Sequence, residues 1–173
     1  MVEFVPYDEK IHRAQFFELN VKYVTWIFEE MRVRQNIDVI PSIEQTIREY
    51  VEVSLEDLTT VRPPKGIIYV LEDEGKMVGM GALKELEVGI GEIKRMYICP
   101  RYRGKGLGKE MFEKLIERGK EFGYSTLRLE TADFMTQAHK VYRSAGFKEI
   151  GGYSGGEMPE WYRPNCIFME KSM

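Results

Sequence analysis

The residues best suited to chemistry lie in one stretch, Glu92 to Lys109, EIKRMYICPRYRGKGLGK. It reads as strand, turn, glycine-rich basic loop and helix start. A helix start leaves several backbone N–H groups unpaired and carries a partial positive charge. Glycines let a ligand approach the backbone closely, and successive N–H groups form an anion nest. With Arg103, Lys105 and Lys109 adding charge, the segment suits a phosphate or diphosphate. The P-loop pattern G-x-x-x-x-G-K-[ST] fails, because Arg103 stands five before Gly108 and Glu110 follows Lys109. The dinucleotide pattern G-x-G-x-x-G fits Gly104 and Gly106 but meets Lys109 in third place, and Ile98 to Arg103 separate the strand from the first glycine. Glu130, at the end of the next strand, imitates that pattern's ribose-binding acid. A solvated basic loop at a helix start is the plain structural alternative.

The elements around this stretch follow from periodicity. Residues 2–6 alternate as a short strand. Residues 9–34 form a helix with Phe16, Leu19, Tyr23, Ile27 and Met31 on one face. A second helix is expected from Pro41-Ser42, with Ser42 as N-cap, Gln45 at the capping-box position and an apolar face from Ile43 through Ile47, Val51 and Leu55 to Leu58. Arg62 to Gly66 ends it. Ile67–Glu72, Met77–Leu86 and Glu92–Ile98 read as an antiparallel meander, turned at Asp73-Glu74-Gly75 and near Gly89 and Gly91. Residues 106–122 are an amphipathic helix with Met111 and Leu115 inward, Glu110 set to pair with Lys114, and Gly123 closing it. Thr126–Thr131 is a strand, and residues 133–145 form a helix capped by Asp133 and closed by Gly146. Phe147–Ile150 and Ile167–Glu170 are the last strands. A meander followed by β-α-β-α-β predicts an α/β chain with a mixed, α+β type of sheet.

The 173 residues fit one domain, and 43% hydrophobic with 31% charged residues is ordinary for a globular chain. A net charge of −3 argues against a protein that coats nucleic acid and mildly favours a cationic substrate. Cys99 and Cys166 suggest no disulfide framework, and His and Cys are too few and scattered for a metal site. No secretory pattern appears at Met1–Lys10, and no apolar run reaches the ~20 residues of a membrane span, so a cytoplasmic location is expected.

Two segments carry a family resemblance. Arg103-x-x-Gly106-x-Gly108 resembles the R/Q-x-x-G-x-G/A motif of the GCN5-related N-acetyltransferase (GNAT) superfamily, and AHKVYRSAGF at residues 138–147 is similar to that family's A-x-x-x-Y-x-x-x-G-F segment. Their order and spacing extend the resemblance over residues 66–170. It implies the acyl-CoA N-acyltransferase fold, a mostly antiparallel sheet with a V-shaped split between the fourth and fifth strands. Acetyl-CoA, as cosubstrate and without any metal, would lie in the split. Its pantetheine arm would pair with Met96, Tyr97 and Ile98 like an added strand. Its diphosphate would sit on N–H groups from Arg103 through Gly104, Lys105, Gly106 and Leu107 to Gly108, with Lys109 adding charge. On this reading residues 1–65 shape the substrate side and residues 66–173 form the acetyl-CoA-binding core of a single domain.

The implied reaction is direct attack of a primary amine on the thioester. A lysine-like amine has a pKa of about 10.4, so a base must remove its proton. The resemblance makes the Ile98 N–H the oxyanion donor. It makes Tyr142 the proton donor to the leaving thiolate, although an apolar stripe of Phe134, Ala138, Val141 and Ala145 also fits a core tyrosine. Glu92 is the candidate base, with a partnership to Lys94 as the alternative. Met135 stands where the family often has an asparagine, and His139 lies three before Tyr142 as a cofactor-side or surface residue. His12 has no evident partner, and Cys99 reads as a small buried residue.

The acceptor is expected to be an amine on a small molecule or peptide, met by residues 9–65 and 151–166. In the latter, Tyr153, Glu157, Glu160, Trp161 and Tyr162 suit a cationic amine. Expected partners include neither nucleic acid nor membrane; a homodimer would bring in a second copy. A non-catalytic acyl-CoA sensor of the same fold is the main rival, and a basic-loop RNA-binding module is a remoter one.

Overall fold

A computed structural model of the chain describes residues 1–43 and 45–173, with the backbone alone at residues 42 and 43. The strands are β1 (Val2–Pro6), β2 (Gly66–Asp73), β3 (Lys76–Glu87), β4 (Ile90–Ile98), β5 (Thr126–Ala132), β6 (Lys148–Ile150) and β7 (Cys166–Ser172). The helices are α1 (Glu9–Gln35), α2 (Ile40–Ile43), α3 (Ile47–Leu58), α4 (Leu107–Glu121) and α5 (Thr136–Ser144), with 3-10 turns at Pro100–Tyr102 and Glu160–Asn165. The strands build one sheet ordered β1-β2-β3-β4-β5-β7-β6, antiparallel except for the β4–β5 pair. This is the expected mixed sheet.

Two apolar layers cover it. On one face α4 and α5 bury Met111, Phe112, Leu115 and Tyr142 against Ile93, Leu127 and Leu129. On the other, α1 and α3 bury Phe16, Leu19, Val51 and Leu55 against Val70, Met80 and Tyr97. Gly81 of β3 makes the first layer possible, because a Cβ there would come within 2.8 Å of both Met111 and Met96.

Four local expectations change. The helix expected from Ser42 is broken: α2 is one turn, and α3 begins after Thr46, whose hydroxyl and the Glu49 carboxylate form a full capping box. The side chains of Ser42 and Ile43 lie outside the described residues. Helix α5 starts three residues later than expected, and Asp133 does not cap it; its carboxylate accepts from Gln35 Nε2 at 2.7 Å. On α4, Lys114 lies over the Phe4 ring, and the i,i+4 ion pair is Lys109–Glu113 at 3.6 Å, not Glu110–Lys114. His12 has partners after all. Buried at the start of α1, its Nδ1 accepts from the Asp8 N–H at 2.8 Å and its Nε2 lies 3.3 Å from Glu72.

Candidate active site

Strands β4 and β5 pair through Ile90↔Thr126, Gly91↔Leu127 and Glu92↔Arg128, and then separate. Beyond Glu92 the edge of β4 faces an opening while β5 stays zipped to β7 as far as Ala132. The Cys99 N–H donates to Val78 C=O of β3 at 2.9 Å. Backbone groups alternate sides along a strand, so the N–H and C=O of Ile98 and Met96 point the other way, into the split. The Ile98 carbonyl there accepts from Arg103 Nε at 2.8 Å.

A β-bulge shapes this edge. Ala82 pairs with Lys94 and Met80 with Tyr97, so Gly81 alone opposes both Arg95 and Met96. Arg95 takes a left-handed φ of 57° to make the bulge. Strict alternation would send Arg95 toward α4. The bulge holds it instead on the α1 face beside Lys94, and returns Met96 and Ile98 to the α4 layer.

The loop after β4 leads to a run of free donors. Arg103 N–H bonds Pro100 C=O at 3.2 Å, and Glu110 N–H bonds Gly106 C=O at 3.0 Å. Between them the N–H groups of Gly104, Lys105, Gly106, Leu107, Gly108 and Lys109 have no acceptor among the described residues. Gly104 and Gly106 adopt φ of 76° and 81°, and a Cβ on either would meet nothing within 4 Å. The cradle therefore begins at Gly104, one residue later than expected. The nearby side chains are turned elsewhere. The Arg103 guanidinium stacks over Trp26 and Tyr97 at 4.9 and 5.5 Å, and Lys105 lies over Tyr102 at 5.1 Å. Tyr97 is a core residue and, two positions from Cys99, its main-chain N–H and C=O face β3, so unlike Met96 and Ile98 it offers no polar group to the split.

Deeper in the split, a cavity of about 40 Å³ is lined from β4 by Lys94, Arg95 and Met96, from β5 by Glu130 and Thr131, and from α5 by Tyr142. Met135 and Met158 also reach it. Tyr142 is 7% exposed and rests on Phe112 with ring centres 4.7 Å apart, as the core reading expects, and it also lines the cavity. Its hydroxyl has no hydrogen-bond partner among the described residues. Burial raises its pKa well above that of an ordinary phenol, so it stays protonated. His139 is neither a surface residue nor a free base. It is buried, its Nε2 sits 3.1 Å from Ala132 C=O and 3.3 Å from Thr131 Oγ1, and burial lowers its pKa.

Glu92 is buried at the apex of the split, 3.0 Å from Lys94 Nζ, and accepts from Tyr153 OH at 3.2 Å. Burial raises its pKa despite Lys94. It does not line the cavity; Glu130 does. Glu130 Oε1 accepts from the Met158 N–H at 2.8 Å while Oε2 is buried without a partner. Burial raises this carboxyl too, and the charges of Glu92 and Glu157 add to the rise. Glu157, on the loop after β6, is 2.9 Å from Arg95 Nη2 and 3.4 Å from Lys94 Nζ. Burial opposes ionisation of Glu157, but these two cations win and lower its pKa. The aromatic–acid set expected for a cationic amine is thus dispersed: Glu157 is already paired, Tyr162 is buried with its hydroxyl on Gln35, and Trp161 is half exposed.

Sequence reasoning passed over Lys94, Arg95 and Glu130 as site residues. The signal for the first two was visible, since adjacent cations in a strand whose neighbours alternate imply a bulge or a charged site. Nothing local in the sequence marks Glu130; its place depends on the loop that covers it.

The acetyltransferase (GNAT) family model matches residues 24–147. The IAA acetyltransferase of Azospirillum brasilense is 33% identical over 120 residues, 69% of this chain and 76% of that protein. The uncharacterized N-acetyltransferase YjgM of Escherichia coli is 30% identical over 138 residues, 72% of this chain and 83% of its own length. In fold, the chain is similar to the PaiA N-acetyltransferase of Thermoplasma acidophilum solved in complex with coenzyme A, with a TM-score of 0.70 at 15% identity over 100% of this chain and 99% of that one. The split sheet, the matching family model and these relatives establish that the chain belongs to the GNAT family of acetyl-CoA-dependent N-acetyltransferases.

Proposed function

We propose that the chain, working as a single domain over residues 1–173 in the cytoplasm, acetylates a primary amine of a small molecule or peptide inside the β4–β5 split. The observation that carries the site assignment is the unbroken run of unpaired N–H groups from Gly104 to Lys109 beside two open glycines. Such a run fits a diphosphate by charge and by hydrogen bonding. Acetyl-CoA supplies the thioester carbonyl that the amine attacks. The outward N–H and C=O groups of Met96 and Ile98 hold an amide-bearing arm as a further strand would. The Ile98 N–H faces the developing oxyanion.

The proton chemistry falls to Glu130, Glu92 and Tyr142. Glu130 lies on the cavity with one oxygen free, so it takes the ammonium proton; Glu92 stands behind it and keeps it basic by repulsion. Tyr142, with its raised pKa, is a poor source of a fully transferred proton. Its hydroxyl donates a hydrogen bond to the departing sulfur instead, and the second proton of the attacking nitrogen passes to that sulfur as the C–S bond breaks, so CoA leaves as the thiol.

Free-thiol release from acetyl-CoA with an amine panel, followed across pH, tests this. A carboxylate base gives kcat/KM a limb that falls as pH drops through its raised pKa. Glu130→Gln should abolish that limb. Glu92→Gln should move it to lower pH, because a neighbouring negative charge has gone. A limb unmoved by both variants excludes the pair as the base. Acetyl-CoA binding without thiol release for any amine would instead favour the sensor.

A further inference from the structure

Two buried side-chain polar atoms lack a hydrogen-bond partner among the described residues: Arg95 Nε and Glu130 Oε2. Buried polar groups are nearly always satisfied, so each such atom calls for an explanation. Here one is a cationic donor and the other an anionic acceptor, and both side chains line the same cavity. A single molecule that satisfies both must bring an acceptor for Arg95 and a donor for Glu130.

The Arg95 fork is incompletely filled. Nη1 donates to Asn20 Oδ1 at 3.2 Å, and Nη2 donates to Glu157 Oε1 at 2.9 Å. The same Glu157 oxygen also meets Lys94 Nζ at 3.4 Å. Glu157 thus presents one oxygen to a guanidinium edge whose parallel Nε and Nη2 donors suit both oxygens of a carboxylate. The cations cannot leave, since the side chains of Arg95 and Lys94 are 4% and 13% exposed. Glu157 can leave: its side chain is 39% exposed, and it follows Gly155 and Gly156. The same loop covers Glu130, because a Cβ on Gly156 would stand 2.6 Å from the Glu130 carboxyl carbon and Met158 N–H bonds its other oxygen. One displacement of the loop uncovers both unpaired atoms. A polyamine could use Glu130 but would leave the Arg95 and Lys94 donors without an acceptor once Glu157 moved away.

We propose that the acceptor is an α-amino acid or similarly short amino carboxylate. Its carboxylate replaces Glu157 on Arg95 and Lys94, and its ammonium sits at Glu130 Oε2. Glu157 is a built-in stand-in for the acceptor's carboxylate, and Arg95 and Lys94 determine specificity. This inference rests on the acetyl-transfer reading above.

The test is free-thiol release from acetyl-CoA with a panel of α-amino acids, each beside its methyl ester and its decarboxylated amine. The preferred amino acid should exceed its ester in kcat/KM by about tenfold or more, since a site built for a buried polar partner rejects the analogue lacking it. Arg95→Lys, which keeps the charge but removes the fork, should narrow that ratio to about threefold or less. Lys94→Met serves the same purpose if Arg95→Lys fails to fold. Glu157→Gln should lower KM for the amino acid, because the internal competitor is weakened. An ester or amine that matches the acid, or a preference for the acid that survives both cation variants, would overturn the inference. Thiol release with carboxylate-free amines alone would overturn it and leave acetyl transfer standing. Absence of thiol release with every amine would overturn both.

Discussion

Tyr142 packs in the core, and the proposed mechanism also gives it a chemical role. Its ring fills the core against Phe112 while its hydroxyl reaches the split, so Tyr142→Phe removes the hydroxyl and leaves the packing. We expect kcat to fall about tenfold with the thermal midpoint little changed. Steady-state thiol release beside circular dichroism checks this, and unchanged turnover in the folded variant would reject the role. Glu130 carries the opposite trade. Its folded pKa is raised by burial, so folding opposes the ionisation of a carboxyl that the unfolded chain ionises freely. Below the unfolded pKa both states hold the proton and no stability is lost. As pH rises above it, the wild type loses stability that Glu130→Gln keeps. The variant should therefore melt higher than the wild type near pH 7.5, with the gap closing toward pH 4, by calorimetry at matched ionic strength. A variant that melts lower at neutral pH would mean that the unpaired oxygen is no burden.

At the scale of elements, what the sequence revealed depended on whether local chemistry could decide. Helix α4, its preceding loop and Gly123 follow from patterns within one segment. The start of α3 was ambiguous because Ser42-x-x-Gln45 and Thr46-x-x-Glu49 both match a capping box. Thr46 prevails, and its glutamate adds a charge favourable to the helix N-terminus. Thr46→Ala should cost about 1 kcal/mol in urea unfolding, whereas a loss near zero would show that tertiary packing alone sets the boundary. Asp133 looked like a cap for α5, but the distant Gln35 claims it, a contact that no local pattern announces. The β4 bulge lies between these cases: Lys94 and Arg95 side by side hinted at it, but its depth depends on Gly81 across the ladder.

At the scale of the molecule, the split opens where β4 bulges: its pairing with β5 ends at Glu92, and the bulge at Arg95 follows. That architecture was legible from two motifs and their order, as was the cofactor-side loop. The acceptor side was not, since it is assembled by the loop after β6 folding onto side chains from β4 and β5, far apart in the chain. The composition pointed toward a cationic acceptor, whereas the cavity brings buried cations and carboxylates together; an average charge does not describe one site. We assign the cosubstrate's diphosphate to the N–H groups of Gly104–Lys109. Titrating coenzyme A into isotopically labelled protein and following each backbone amide by NMR tests that assignment most directly. We predict the largest downfield shifts at Gly104, Lys105, Gly106, Leu107, Gly108 and Lys109, saturating together. Saturable binding that leaves these six amides unmoved while others shift would contradict it.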